Sequence, residues 1–286
     1  MKFATSVISI IRKRISVRSY KNEKLTSELI NQIQEILRAN STGPFGNNVT
    51  FHLVEKSWAR ENSGVKIGTY GFISGAGYFI AGEIRNNNYC FEDYGFLFEN
   101  VILKLTELNL GTCWLGGTFK RSDFAEVLGT DPDLIIPAIT PVGFASDKKT
   151  IRENIIRWGA KSDNRKPWKE LYYENNFLTP LNEEYAGNFQ EPLEMVRLAP
   201  SASNKQPWRI IKSGHTFHFY LKRTPGYGKF AGMDLQKIDM GIAMAHFEVT
   251  CEYLKLKGKW ITNNPNIDAN GTDYIVSWVE VMTGPF

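Results

Sequence analysis

The sequence predicts an α+β protein assembled from two diverged copies of one plan. Three observations carry this. Amphipathic helical segments are interspersed with short strand-like runs. Five landmarks recur at one offset: Asp93, Gly95, Leu108, Leu110 and Trp114 are matched by Asp239, Gly241, Leu254, Leu256 and Trp260, each 146 residues further on. Upstream, Gly46 to Phe51 parallels Ser203 to Trp208 at an offset of 157, a polar turn running into an aromatic residue and a strand in both. One offset shared by five positions outweighs coincidence and marks an internal duplication. Two such copies can pair within one chain as the subunits of a dimer do, about a pseudo-twofold axis. The expected domains are residues 1–165 and 166–286.

Taken in order, Met1 to Arg14 reads as an amphipathic first helix, with Phe3, Val7, Ile10 and Ile11 at helical spacing. Arg12, Lys13 and Arg14 stand where a secretory cleavage site needs small residues, so a cytoplasmic protein is expected. Thr26-Ser27-Glu28 opens a second helix with Leu29, Ile33, Ile36 and Leu37 on one face, and Asn40 to Pro44 ends it. Val49 to Val54 reads as a strand. Asp93 to Leu110 reads as a long helix, apolar at Phe96, Val101, Leu103 and Leu108, with Gly111 as its stop. Phe124 to Leu128 is a short helix before Gly129, and Ile135 to Gly143 a strand. Asp93 and Asp239 are expected to cap helices. Glu99 and His246, one to two turns further on, are expected at the interface between the halves. A connection rich in Lys and Arg, Ser146 to Trp168, joins the two copies.

Composition bounds the function. A chain of 286 residues holds about two domains, or one large one. Hydrophobic residues at 42% and charged residues at 22% exclude a disordered chain. A net charge of +4 is too small to point to nucleic acid but suits a small anionic cofactor. No apolar run approaches the ~20 residues of a membrane span. Cys90, Cys113 and Cys251 are odd in number and dispersed, as are His52, His215, His218 and His246, so no disulfide framework and no metal site is expected.

Three segments carry chemistry. In Arg14-Ile15-Ser16-Val17-Arg18, residues at alternate positions of an extended chain point one way. Arg14, Ser16 and Arg18 can then converge on one phosphate with charge-assisted donors. In Ala199-Pro200-Ser201-Ala202-Ser203-Asn204-Lys205-Gln206-Pro207-Trp208, prolines fix the backbone, small side chains allow close approach, and amides donate and accept. A planar heterocycle suits such a loop, with Ser201, Ser203 and Asn204 as binding residues and Trp208 as a core plug. In Gly111-Thr112-Cys113-Trp114-Leu115-Gly116-Gly117, the paired glycines let a ligand approach backbone N–H groups. Cys113 has no His nearby in sequence and reads as a buried structural residue.

At these three segments the chain resembles the nitroreductase family of FMN-dependent oxidoreductases. The resemblance covers nearly the whole chain, residues 55 to 90 least. It implies a nitroreductase-like fold, each repeat a mixed sheet flanked by helices. It implies FMN as cofactor, NADH or NADPH as electron donor, and a nitroaromatic or quinone-like small molecule as acceptor. Hydride transfer through flavin N5 and ping-pong kinetics follow, with the flavin rather than a catalytic side chain carrying the chemistry. Arg14, Ser16 and Arg18 would hold the phosphate and ribityl end, with Arg165 and Lys161 as late basic partners. Gly116 and Gly117 would lie at the N5 and O4 edge. Pro200, Ser201, Ala202, Ser203, Asn204 and Gln206 would form the loop that covers the ring. Lys66 is weighed as a cation for the N1/O2 side and reads rather as a solvated lysine.

The chain departs from the family in a patterned way. The first copy of the covering loop is degraded to Thr42-Gly43-Pro44-Phe45-Gly46-Asn47, while the second half lacks Arg-x-Ser-x-Arg and the paired glycines. Each half has lost what the other retains. One complete flavin site per chain is expected, in a monomer or weak oligomer, with Phe45 plugging the lost site. A flavin-binding protein without turnover, a sensor or a store, is the alternative.

Overall fold

The computed structural model describes residues 3–147, 164–226, 229–230 and 232–281. Lys161 and most of the connecting stretch lie outside them. The chain divides into two compact units, one Lys13–Lys161 and the other Ser162–Phe286 together with Met1–Arg12. The first helix, α1 (Val7–Lys13), thus belongs almost wholly with the later unit rather than with the expected 1–165 half. Within that unit Arg12 pairs with Glu191 at 3.1 Å.

In the Lys13–Lys161 unit, α2 (Ser27–Ala39) starts where its capping residue predicts: the Thr26 hydroxyl accepts the Leu29 amide at 3.2 Å. Strand β1 (Val49–Glu55) leads into α3 (Lys56–Ser63), followed by β2 (Tyr78–Arg85) and α4 (Cys90–Glu107). Then come β3 (Gly111–Thr112), α5 (Arg121–Leu128), β4 (Leu134–Ile135) and β5 (Ile139–Gly143). The sheet order is β1-β2-β5-β3, with β4 beside β2, and every one of these pairs is antiparallel. A parallel bridge from Ser16 to Thr112 adds the Arg14–Arg18 segment beside β3.

Sequence periodicity misses β2. Seven of its eight residues are buried, so the alternation that marks a half-exposed strand is absent. One face packs on α4, where the Gly82 amide donates to the Tyr94 hydroxyl at 3.3 Å. The other holds Phe79 and Ala81 in a cluster with Leu115, Phe124 and Ile139. The expected strand from Ile135 to Gly143 is two strands, interrupted around Pro137, which has no N–H to donate. Gly111 is not a helix stop. Asn109 takes the left-handed conformation after α4 at φ 61°, and Gly111 lies in β3. A Cβ there would fall 2.9 Å from Val17 Cγ2, so the glycine lets the Arg14–Arg18 segment approach the strand.

The other unit contains α6 (Trp168–Leu171), β6 (Tyr172–Glu174), α7 (Gln190–Leu198), β7 (Trp208–Ser213) and β8 (Thr216–Leu221). The short pair β9 (Lys229–Phe230) and β10 (Met233–Asp234) precedes α8 (Leu235–Tyr253), β11 (Gly258–Ile261) and β12 (Asp273–Glu280). Its sheet order is β11-β12-β8-β7-β6, antiparallel except for β6 beside β7. Read as β7-β8-β12-β11, four strands repeat the β1-β2-β5-β3 order of the first unit. Along the chain, the buried helix α4 lies between β2 and β3, and α8 between their counterparts β8 and β11. Phe247 of α8 packs against Phe219 and Trp278 at 5.5 and 5.3 Å. The internal duplication is therefore a duplication of topology.

Candidate functional site

The Arg14–Arg18 segment is extended, held by the Ser16–Thr112 bridge and by the Val17 amide donating to Thr112 O at 2.8 Å. Val17 is buried against β3, and Arg14, Ser16 and Arg18 are each partly buried. Arg14 Nε and Arg18 Nη1 are shielded from solvent and make no hydrogen bond among the described residues. Buried guanidinium donors left in this way are costly unless an anion completes them. Arg14 Nε lies 3.9 Å from Glu99 Oε1, with the Arg14 side chain 7% exposed and that of Glu99 wholly buried. Glu99 Oε2 accepts from Trp114 Nε1 at 2.7 Å. Sequence reasoning left Glu99 without a role inside its own unit. Its signal was a carboxylate within the apolar stretch Phe96 to Leu105.

The same bridge places Thr112 just upstream of Gly116 and Gly117. Among the described residues, no hydrogen bond engages the amide of either glycine. The turn is clamped by Arg121, which sequence reasoning also missed. Its guanidinium donates to the carbonyls of Gly116, Ile136 and Pro137 and lies 4.6 Å over the Phe119 ring. Burial lowers the Arg121 pKa from its ordinary value. No short-range spacing signals such a clamp, since its three carbonyls come from two separate loops. Cys113 is buried, as expected. Lys66 is exposed.

In the other unit, the Pro200–Gln206 loop is strained. Ser203, Asn204 and Gln206 have φ of 48°, 54° and 48°, the left-handed region that residues with a Cβ avoid. A dense polar framework holds it. Gln206 N donates to Ser201 Oγ at 2.9 Å, and Asn204 Nδ2 donates to Asn164 O at 2.7 Å. Arg165 donates to Asn204 Oδ1 and to Leu198 O, both at 3.0 Å. The Lys166 amide donates to Gln206 Oε1 at 2.8 Å. The side chains of Asn204, Gln206 and Arg165 are thus engaged in building the loop. Pro200, Ser201 and Ala202 are half-buried, Ser203 is exposed, and Trp208 is wholly buried. Lys161 lies outside the described residues.

Asp93 and Asp239 are not the N-caps of their helices. Tyr89 and Asp234 occupy those positions. Each aspartate sits about one turn inside and clasps the preceding loop of its own unit. Asp93 accepts from the amides of Phe45 and Asn47 at 3.0 and 2.9 Å, and from Asn47 Nδ2. Asp239 Oδ1 accepts from the Ala202 amide at 2.9 Å. Burial raises both carboxyls, Asp239 to about 8. The matched aspartates therefore hold matched loops, one intact and one degraded. In the degraded loop Phe45 stacks on Tyr89 with centroids 4.5 Å apart. His246 Nδ1 lies 2.9 Å from Met195 O within its own unit.

A family profile described as "Putative TM nitroreductase" matches residues 6–251. The chain belongs to this nitroreductase family. A crystal structure of a nitroreductase-like protein from Thermotoga maritima MSB8 covers 99% of this chain and 97% of its own, at 18% identity and a TM-score of 0.62. That likeness shows the nitroreductase fold. A relative from Archaeoglobus fulgidus, named "Putative NADH dehydrogenase/NAD(P)H nitroreductase", is 23% identical over 177 residues, 56% of this chain and 98% of the relative. An FMN-dependent nitroreductase from Clostridium difficile R20291 aligns over 50% of this chain and 90% of its own, with 19% identity and a TM-score of 0.39. Among the described residues of this family member, no helix is long and apolar enough to cross a membrane.

Proposed function

We propose that this protein is an FMN-dependent NAD(P)H oxidoreductase of nitroreductase type. The observation that carries the reading is the pair of buried donors without hydrogen bonds, Arg14 Nε and Arg18 Nη1, on a segment bridged to the strand that runs into Gly116-Gly117. A phosphate ester supplies the acceptors these guanidinium groups lack, and the paired glycines offer amides to the polar edge of a ring. The residues present fit FMN.

In this reading Arg14, Ser16 and Arg18 bind the phosphate end, and Gly116 and Gly117 donate to the ring edge. Arg121 keeps the Gly116-Gly117 turn in place through its three carbonyls. The loop Pro200 to Gln206 is the covering segment implied by the resemblance, its strained backbone held by Asp239, Asn164 and Arg165. Each half retains the motif that the other has lost, which supports one flavin per chain. Bound FMN would supply the redox chemistry, taking two electrons as hydride from NADH or NADPH and returning them to a quinone or nitroaromatic acceptor. The proposed partners are thus small molecules only, with no nucleic acid or membrane, and the chain acts as a monomer or weak oligomer.

The test is the visible spectrum of the purified protein, with flavin released by heat and counted per chain, followed by NADH and NADPH oxidation with menadione. Close to one FMN per chain and acceptor-dependent turnover are expected. Two FMN per chain refutes the single site. A colourless chain that takes up no added FMN refutes the cofactor, and a loaded chain without turnover leaves a flavin-binding protein.

A further inference from the structure

We infer that Glu99 is a positioning residue that holds the Arg14 guanidinium ready for the phosphate. This rests on the FMN reading above. Glu99 is wholly buried on α4, with one oxygen toward Trp114 Nε1 and the other 3.9 Å from Arg14 Nε. A guanidinium carries five N–H donors in a rigid fork. A carboxylate 3.9 Å from Nε orients the guanidinium by charge while taking none of its donors in a hydrogen bond, so they are left to an oxyanion. The same carboxylate balances the arginine's charge before an anion arrives, which a buried cation requires.

The duplication supplies an internal control. Trp114 and Trp260 are matched, and each indole N–H donates to a buried or half-buried glutamate on its long helix. The glutamates are not matched. The position equivalent to Glu99 is Ala245, and Trp260 turns instead to Glu248, one helical turn along. An indole can therefore be satisfied from either turn. The half that keeps Arg14-x-Ser16-x-Arg18 is the half with the carboxylate at the Glu99 position. What Glu99 adds over the Glu248 arrangement is the ion pair to Arg14.

The experiment measures dissociation constants for FMN and for riboflavin, which lacks the phosphate, by flavin fluorescence quenching on the full-length chain. The ratio of the two constants reads the phosphate contribution alone. Glu99→Gln keeps an acceptor for Trp114 and removes the charge. It is expected to cut the FMN preference about tenfold, the worth of one charge-assisted hydrogen bond, with riboflavin binding within about twofold of wild type. Arg14→Ala should cut the preference at least as far, and the double variant no further, because both act on one contact. Glu99→Asp, which keeps the charge but shortens its reach, is the second variant should Glu99→Gln not fold, and it should also lower the preference. Equal weakening of both flavins, or an unchanged preference, overturns the inference while leaving FMN binding in place. A wild-type chain that binds neither flavin overturns the cofactor reading and this inference with it.

Discussion

Replacing Asp239 by Asn should change how the stability of this protein depends on pH. Asp239 is 2% exposed and holds the Ala202 amide through Oδ1, while Oδ2 is buried without a hydrogen-bond partner among the described residues. Burial lifts its pKa from 3.8 to about 8, with Asp234 adding to the rise and the Ala202 amide opposing it. Between those two pH values the folded chain keeps a proton that the unfolded chain has released. Stability from this group is therefore complete below pH ~4 and is lost as pH rises toward ~8, at about 1.4 kcal/mol per unit. Asp239→Asn resembles the protonated carboxyl in shape, keeps the acceptor for Ala202 and does not titrate. The variant should match wild type near pH 4 and gain on it by roughly 3 kcal/mol between pH 5 and pH 7. In thermal melts this is a relative shift of roughly 6–12 °C for a domain of ordinary size. Circular dichroism melts of both proteins at pH 5, 6, 7 and 8 give the answer, since other titrating groups cancel in the difference. A difference that stays flat across this range would show that Asp239 is ionised in the fold and that the clasp on Ala202 is a carboxylate one.

Asn204→Ala removes an acceptor for Arg165 and the anchor on Asn164. It should cost about 1–3 kcal/mol in urea unfolding and weaken FMN uptake although Asn204 is remote in sequence from Arg14. Arg121→Lys cannot serve the carbonyls of Gly116, Ile136 and Pro137 together, so a loss of about 1–3 kcal/mol with weaker flavin binding is expected by calorimetry. Gly82→Ala places a Cβ 2.6 Å from Phe51 Cε1 and 2.8 Å from Tyr94 Cε2, and should lower the urea midpoint by an equivalent of about 1–3 kcal/mol. An unchanged midpoint would mean that β2 and α4 are free to move apart.

Much of the framework was legible because it is local. Thr26 and the Leu29–Leu37 face marked α2, and Gly129 marked the end of α5. The duplication was legible because equal spacing survives when identity fades, and the two strand orders repeat it. The extended run of Arg14 to Arg18 was legible as a segment, and the structure places it beside β3. The α1 assignment was not legible, because amphipathic periodicity says that a helix buries a face but not against which unit. Strand β2 escaped for a related reason: burial on both faces erases the alternation by which a strand is read.

What the sequence determined by itself was the kind of protein: a duplicated α+β chain of the nitroreductase family. Only the tertiary structure decided what each polar side chain does. Asp93 and Asp239 read as helix caps from their positions along the chain, yet they clasp loops 35 to 50 residues away. Asn204 and Gln206 read as ligand amides, yet Asn164, Arg165 and Lys166 occupy them. Glu99 and Arg121 carried no motif at all, yet one pairs with Arg14 and the other clamps the glycine turn. A hydrogen bond forms over about 3 Å of space, and separation along the chain carries no information about that distance once the chain has folded back.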